Sequence, residues 1–125
     1  MRTLITVSTG APPVGPYSQA ILANGLLFVS GQIPLDPSTG RLVPGGIAEQ
    51  TDRVLQNIST ILGAADSSAA KVVRCVVYLT NMDDFDVMNT AYAKFFRENP
   101  PARTTVEVSR LPKGALIEIE ATAVM

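Results

Sequence analysis

The chain has 125 residues, of which 46% are hydrophobic and 17% are charged, and its formal net charge is -1. This length suits one domain, and this composition is typical of a compact globular protein rather than a disordered one. The absence of a basic run argues against a surface that tracks nucleic-acid phosphates, and no apolar stretch has the length of a membrane span. We therefore expect a single domain over residues 1–125.

The sequence contains no histidine and a single cysteine, Cys75. The missing histidine excludes Ser-His and Cys-His nucleophilic pairs and His-liganded zinc, and one cysteine excludes a disulfide framework. Because Cys75 lies inside an apolar run, it is predicted to be a buried structural thiol rather than a nucleophile. The amino-terminal residues resemble no targeting signal, so a cytoplasmic location is expected.

A hairpin is predicted near the amino terminus. Asn24-Gly25 is a strong hairpin signal, and it separates two predicted strands, Gln19 to Leu22 and Leu26 to Val29. A short strand is also expected over Leu4 to Val7, before a segment rich in Gly and Pro.

The second hairpin strand runs into Ser30-Gly31-Gln32. Gly31 indicates a close backbone approach or an unusual φ, and Ser30 could offer both a hydroxyl and a backbone amide. A plain strand end explains the same residues, and the local pattern alone favours that simpler explanation.

Two helices with apolar stripes flank the next predicted strand. Helical spacing predicts the first helix over Gly46 to Ala65, and the valine-rich segment Val72 to Thr80 predicts a central strand with both faces covered. Asn81 is expected to cap the second helix, whose Met and aromatic stripe is interpreted as core. Asn89 lies beside this stripe and could reach the edge of a pocket, although an exposed helix asparagine is the commoner explanation.

Residues Pro101 to Glu120 predict two strands joined by a turn. Alternation places Arg103 and Thr105 on one face of the first strand, and Glu118 and Glu120 on one face of the returning strand. An arginine with paired glutamates on the returning strand could hold a small carboxylate and act on it. The alternative, which alternation alone favours, is that these charges form only the solvated side of an antiparallel sheet.

The predicted element order is βββαβαββ. Right-handed crossovers place both helices on the same face of one mixed sheet. The other face is then uncovered in a monomer, so we expect the chain to bury it by self-association.

Five short segments carry a further signal: GPYSQA at 15–20, VSGQIP at 29–34, NTAY at 89–92, PARTTVEV at 101–108, and LPKG with IEIEA at 111–121. In this order and spacing they resemble the RidA/YjgF family of reactive-intermediate deaminases, over essentially the whole chain. The resemblance implies a chorismate-mutase-like α+β subunit and a homotrimer whose sheets pack into a barrel, with sites between subunits. It also implies hydrolysis of 2-imino acids such as 2-iminopropanoate and 2-iminobutanoate to 2-keto acids and ammonia, without a metal or cofactor.

The resemblance assigns roles position by position. Arg103 matches the family arginine that holds the substrate carboxylate, and Glu118 matches the glutamate near the attacking water. Some relatives have a cysteine at the position of Thr105. In this chain, the backbone at Thr105 could fix the imine nitrogen. The residues expected to bind substrate beside Arg103 are Tyr17, Ser30, Gly31, Asn89 and Thr105.

Other functions fit the same resemblance. A trimer that only binds or senses small carboxylates would use Arg103 and would not need Glu118, and a family member could also serve one specialised substrate. A ribonuclease, an activity attributed to some relatives, is disfavoured by the missing histidine and the lack of a basic surface. The expected partners are therefore small 2-imino and 2-keto acids and other copies of the chain, rather than nucleic acid or a membrane.

Overall fold

Six strands form one mixed sheet, and two helices pack on one of its faces. The computed structural model describes all 125 residues. The elements are β1 (Arg2–Ile5), β2 (Ala20–Ala23), β3 (Leu26–Gln32), α1 (Ile47–Ala64), β4 (Val72–Leu79), α2 (Phe85–Phe95), β5 (Ala102–Glu107) and β6 (Ile117–Val124). This confirms the α+β class and the order βββαβαββ. Neither helix is long and apolar enough to cross a membrane.

The strand order in the sheet is β1-β2-β3-β6-β4-β5. Strands β4 and β5 are parallel because α2 connects them, whereas all the other neighbours are antiparallel. After β5 the chain turns through Leu111 to Gly114 and returns on the other side of β4. The two strands predicted over Pro101 to Glu120 are therefore present, but they are not neighbours in the sheet.

The core lies between the helices and one face of the sheet, which we call the helix face. Alternation in β6 is as predicted: Ile117 and Ile119 are 0% exposed and point into the core, while Glu118 lies on the opposite face. Helix α1 begins after Gly46, whose amide donates to Glu49 Oε1 at 2.8 Å. Cys75 is buried, as predicted, and burial raises the pKa of its thiol.

The opposite face, which we call the open face, is uncovered in one chain. Phe28 on β3 is 46% exposed, and Leu4 and Val106 are also exposed large apolar side chains on this face. The prediction that β4 is covered on both faces is therefore wrong for a single chain, because only its Cys75 side meets the helices. These apolar side chains lie among charged and polar ones, such as Glu120. Exposed large apolar side chains are typical of a surface that binds another subunit, so self-association remains a prediction.

The first strand is shifted relative to its predicted position. It was expected over Leu4 to Val7, whereas β1 ends at Ile5. The amide of Val7 donates instead to the side-chain Oε1 of Gln19 at 2.6 Å. Gln19 thereby takes Val7 out of the strand ladder and fixes the start of the segment that leads to Tyr17.

Candidate active site

The predicted site residues fall into two groups on opposite faces of the sheet. The first group, the Arg103 cluster, lies on the helix face between β5 and α2, and its members are Asn89, Arg103 and Thr105. The second group, the Glu118 groove, lies on the open face, and its members are Tyr17, Ser30, Gly31 and Glu118. The structure therefore brings each group together but does not join the two groups within one chain.

The Glu118 groove has a volume of about 470 Å³. Besides the four predicted residues, its walls are formed by Val14, Ile33 and Pro112. Glu118 is the one charged side chain in this lining, so the groove combines a single carboxyl group with largely uncharged walls.

A bulge in β3 shapes the floor of the groove. The pairing of β3 with β6 shifts register between Val29 and Gln32, so Ser30 and Gly31 lie where the ladder is interrupted. Ser30 Oγ donates to the backbone oxygen of Ser18 at 2.6 Å, which fixes the hydroxyl. The close approach predicted at Gly31 is present, and its partner is a side chain: the backbone of Gly31 faces the carboxyl group of Glu118.

Tyr17 forms a wall of the groove from a loop rather than from a strand. Its hydroxyl accepts a hydrogen bond from the backbone amide of Val14 at 3.0 Å. Tyr17 and Val14 thus stabilise the same turn from its two ends. Both side chains are more than a third exposed in one chain, at 44% and 41%.

The carboxyl group of Glu118 has a raised pKa. Burial is the first cause, and the negative charge of Glu120, two residues along the same face of β6, is the second. Glu120 itself accepts a hydrogen bond from the hydroxyl of Tyr78 on β4. A carboxylate with a raised pKa is a stronger base than an ordinary glutamate, which suits a group that accepts a proton from water.

Arg103 is half-buried and interacts with neutral groups. Its Cζ lies 4.8 Å from the ring centroid of Tyr92 and 5.6 Å from that of Phe85. Its Nη1 lies 3.9 Å from Sδ of Met88. Glu107, the carboxylate on the same face of β5, instead accepts a hydrogen bond from Met82 N at 2.8 Å. The guanidinium of Arg103 therefore keeps its positive charge unpaired.

Three buried polar atoms on residues beside Arg103 have no hydrogen-bond partner in the chain. They are Oδ1 of Asn89, on the turn of α2 that contacts Arg103, the hydroxyl oxygen of Tyr92, and Oγ1 of Thr105, two residues further along β5. Buried polar atoms are nearly always paired, so such orphans indicate a site completed by another molecule. Asn89 is therefore not the exposed helix asparagine that was the commoner explanation.

Sheet topology separates Arg103 from Glu118. Arg103 pairs with Cys75 on β4, which is buried on the helix face, whereas Glu118 pairs with Tyr78 on the open face. The idea that arginine and glutamates cooperate across adjacent strands is thus wrong for one chain, since β4 lies between them and the side chains point to opposite faces. A small ligand can contact both groups only if the Arg103 cluster of a second copy lies against the Glu118 groove of the first.

Several residues of the two groups were missed by reasoning from the sequence. Phe85 and Tyr92 were predicted to be core, and only their contact with Arg103 reveals a second role. Val14 lies directly before the segment at 15–20 and Ile33 lies within the segment at 29–34, so position in or next to those segments was the signal that could have indicated them. The structure contains no group of three or more His, Cys, Asp or Glu side chains able to hold a metal ion.

Comparison with known proteins gives a family and two kinds of named relatives. The family model described as endoribonuclease L-PSP matches residues 8–125. A RutC family protein of Pyrococcus horikoshii is 54% identical over 123 residues, covering 98% of each chain. A human protein named 2-iminobutanoate/2-iminopropanoate deaminase is 43% identical over 124 residues, covering 99% of this chain and 90% of its own.

Solved structures agree with this family over nearly the whole chain. YyfA of Yersinia pestis, described as a member of the conserved Rid protein family, has a TM-score of 0.95 and 44% identity, covering 100% of both chains. E. coli TdcF with bound serine has a TM-score of 0.94 and 36% identity, covering 98% of both chains. These likenesses confirm the chorismate-mutase-like α+β subunit expected from the sequence.

Proposed function

Because the chain belongs to the endoribonuclease L-PSP family, also known as RidA/YjgF, we propose that it hydrolyses small 2-imino acids to 2-keto acids and ammonia. Relatives that are 43% identical carry the name of this activity. The same name implies 2-iminobutanoate and 2-iminopropanoate as substrates. The family description also names a ribonuclease, but a chain with no histidine and a net charge of -1 is poorly suited to RNA cleavage.

The observation that carries this proposal is the state of Glu118. It is a half-buried carboxyl group with a raised pKa, in a groove that contains no other charged side chain. Because its pKa is raised, the Glu118 carboxylate is a stronger base than an ordinary glutamate, which suits general acid–base catalysis. An imine carbon is already electrophilic, so a positioned water and a proton carrier suffice for its hydrolysis.

The reaction balances with the groups present. The Glu118 carboxylate accepts a proton from water as the water oxygen bonds to the imine carbon, and it passes this proton to nitrogen as the C=N double bond becomes a single bond. The carbon then carries one hydroxyl and one amino group. Glu118 next takes the hydroxyl proton and delivers it to the nitrogen, so the C–N bond breaks as the C–O bond becomes C=O. Ammonia leaves, the keto acid forms, and Glu118 returns to its carboxylate state.

Arg103 would bind the substrate carboxylate through its planar guanidinium. Since Arg103 and Glu118 lie on opposite faces of the sheet in one chain, we propose that a second copy completes each site. The open face, with its exposed Phe28, supplies the surface for this association, and the proposed assembly is the homotrimeric barrel implied by the family resemblance. Tyr17, Ser30 and Gly31 would then line the groove of one subunit, while Asn89 and Thr105 accompany Arg103 of the next.

Substitution of Arg103 tests this function. Losing one partner of a desolvated ion pair costs about 2–5 kcal/mol, or about 30-fold to several thousand-fold in rate or affinity. Arg103→Ala should therefore nearly abolish hydrolysis of 2-iminopropanoate generated in situ from serine by a dehydratase. Arg103→Lys should restore only part, because lysine keeps the charge but not the two-pronged geometry.

Arg97→Ala is the matched control, since Arg97 is an exposed arginine whose Nε donates to the backbone of Lys94. It should leave the rate unchanged. Each variant must keep the wild-type mass in solution, so that lost turnover is not attributed to lost assembly. An Arg103→Ala protein of that mass with the wild-type rate would contradict the proposal.

A second candidate function is the binding of small carboxylates without turnover. The observation that favours it is the structure of E. coli TdcF with bound serine, a small carboxylate, in a chain of the same fold. A binder of this kind would use Arg103 without needing the acid–base group Glu118. Activity and affinity measured on Glu118→Gln separate the two functions.

A further inference from the structure

We propose that Phe85 is a positioning residue that, together with Tyr92, keeps the charge of Arg103 available for a ligand carboxylate. The inference rests on the proposed function, because it takes Arg103 as the carboxylate-binding group. It adds that the affinity of this group depends on an aromatic cradle, defined here as Phe85, Met88 and Tyr92.

The cradle follows from helical spacing. Residues 85, 88 and 92 recur at intervals of three and four, which places them on one stripe of α2 facing β5. Arg103 lies against all three, with its Cζ 5.6 Å and 4.8 Å from the centroids of Phe85 and Tyr92 and its Nη1 3.9 Å from Met88 Sδ. The same stripe that closes the core therefore also positions the guanidinium.

The chemistry of these contacts decides what Arg103 can do. A half-buried cation loses hydration, and the usual compensation is a carboxylate from the same protein. A carboxylate would neutralise Arg103 and occupy its N–H donors. Aromatic rings within about 6 Å stabilise a cation through their quadrupole but leave its net charge in place. The cradle thus stabilises Arg103 while leaving an anion site unfilled.

Phe85 is the better of the two rings to change. Tyr92 is buried in the main core, whereas Phe85 is only partly buried against it. Phe95 is a matched control on the same helix: it is also partly buried against the core, but it packs on Phe96 with ring centroids 4.7 Å apart. Phe85→Leu and Phe95→Leu therefore remove similar rings, of which one contacts Arg103.

The experiment measures binding of 2-oxobutanoate by calorimetry, KM and kcat for 2-iminobutanoate, and thermal unfolding. Phe85→Leu should weaken 2-oxobutanoate binding by about 3-fold to 30-fold, the range expected for one cation–π contact, and should raise KM more than it lowers kcat. Phe85→Tyr should retain wild-type affinity because it keeps the ring. Phe95→Leu should lower the unfolding temperature by an amount similar to Phe85→Leu without changing affinity.

Phe85→Glu provides a second and opposite test. A carboxylate beside Arg103 should pair with it, so binding should fall further than in Phe85→Leu even though Arg103 is intact. If Phe85→Leu does not fold, Phe85→Met removes the same ring with a flexible apolar side chain. Wild-type affinity in Phe85→Leu, or in Phe85→Met where that variant replaces it, would overturn the role of the cradle if Arg103→Ala abolishes binding. The proposed function would then still stand. Unchanged binding in Arg103→Ala would overturn both.

Discussion

Gly31 on β3 and Glu118 on β6 face each other so closely that a Cβ built on Gly31 would lie 2.9 Å from Cδ of Glu118. The Glu118 carboxyl group occupies the space that any other residue at position 31 would need for its side chain. The β3 bulge and the absence of a Cβ thus determine together where Glu118 points. Gly31 therefore influences the proposed reaction by fixing the position of the Glu118 carboxyl group.

Gly31→Ala should displace the Glu118 carboxyl group and lower kcat by roughly 100-fold, the effect of misplacing a reacting group by about 1 Å. Gly63→Ala is the matched control, because a Cβ at Gly63 in α1 would meet nothing within 4 Å. The control should keep full activity and gain about 0.5–1 kcal/mol in the free energy of unfolding. Wild-type kcat in a folded Gly31→Ala protein would show that the contact does not position the reactive group.

Glu118→Gln should separate catalysis from binding. The amide keeps the size of the side chain but accepts no proton from water, so turnover of 2-iminopropanoate should fall at least 100-fold. Affinity for 2-oxobutanoate should stay within about threefold of wild type, since Arg103 is unchanged. Full turnover in Glu118→Gln would show that Glu118 takes no part in the reaction.

The pH dependence should follow the raised pKa of Glu118. The carboxylate is the base, so kcat/KM should fall as pH drops through a pKa above 4.5, the ordinary value of a glutamate. Glu120→Gln removes the second cause of the shift and should move the acidic limb to lower pH. If the acidic limb of the wild-type kcat/KM profile has an apparent pKa at or below the ordinary glutamate value, this assignment is contradicted.

The raised pKa of Glu118 should also lower the stability of the folded protein as pH rises. Folding disfavours the ionised form of a group whose pKa is raised, so wild type should lose stability relative to Glu118→Gln as pH rises from about the ordinary glutamate value through the raised one. Below this window the two proteins should respond to pH alike. Unfolding temperatures measured from pH 4 to pH 8 report the difference, and a wild type that gains on the variant over this range would refute the sign.

Much of this arrangement was predictable because it depends on local periodicity. Alternation in β6 fixed which side of the strand carries Ile117 and which carries Glu118, and Asn24-Gly25 located the β2–β3 hairpin at its observed place. Both signals arise from the geometry of a few consecutive residues. Together with the helical spacing that predicted α1 and α2, they were sufficient for the element order.

The relation between Arg103 and Glu118 was not predictable in this way. Their faces depend on β4 lying between β5 and β6, which is a pairing between residues distant in sequence. Phe85 was equally ambiguous, because an aromatic residue on the inner stripe of a helix satisfies the pattern of a core whether or not a cation packs on its ring. The side chain of Gln19 ends the β1 ladder early by accepting a hydrogen bond from the amide of Val7. Strand propensity, which depends on neighbouring residues, does not predict a contact between residues 12 apart.

Association should depend on the open face. Phe28→Lys places a charge at a residue that is 46% exposed on that face, and it should shift the protein from trimer to monomer in sedimentation equilibrium at micromolar concentration. Val87→Lys, on α2 and 48% exposed, should leave the mass unchanged. A wild-type protein with the mass of a monomer would remove the assembly and the shared sites with it.

The most direct test of a site shared between copies is complementation between two inactive variants. Arg103→Ala and Glu118→Gln should each be inactive alone, since every site in either assembly lacks one of the two groups. When the two are unfolded, mixed in equal amounts and refolded, about a quarter of the sites should combine an intact Arg103 from one chain with an intact Glu118 from another. The account predicts recovery of about that fraction of wild-type 2-iminopropanoate hydrolysis. Mixed assemblies, verified by mass, that hydrolyse no faster than the parent variants would contradict it.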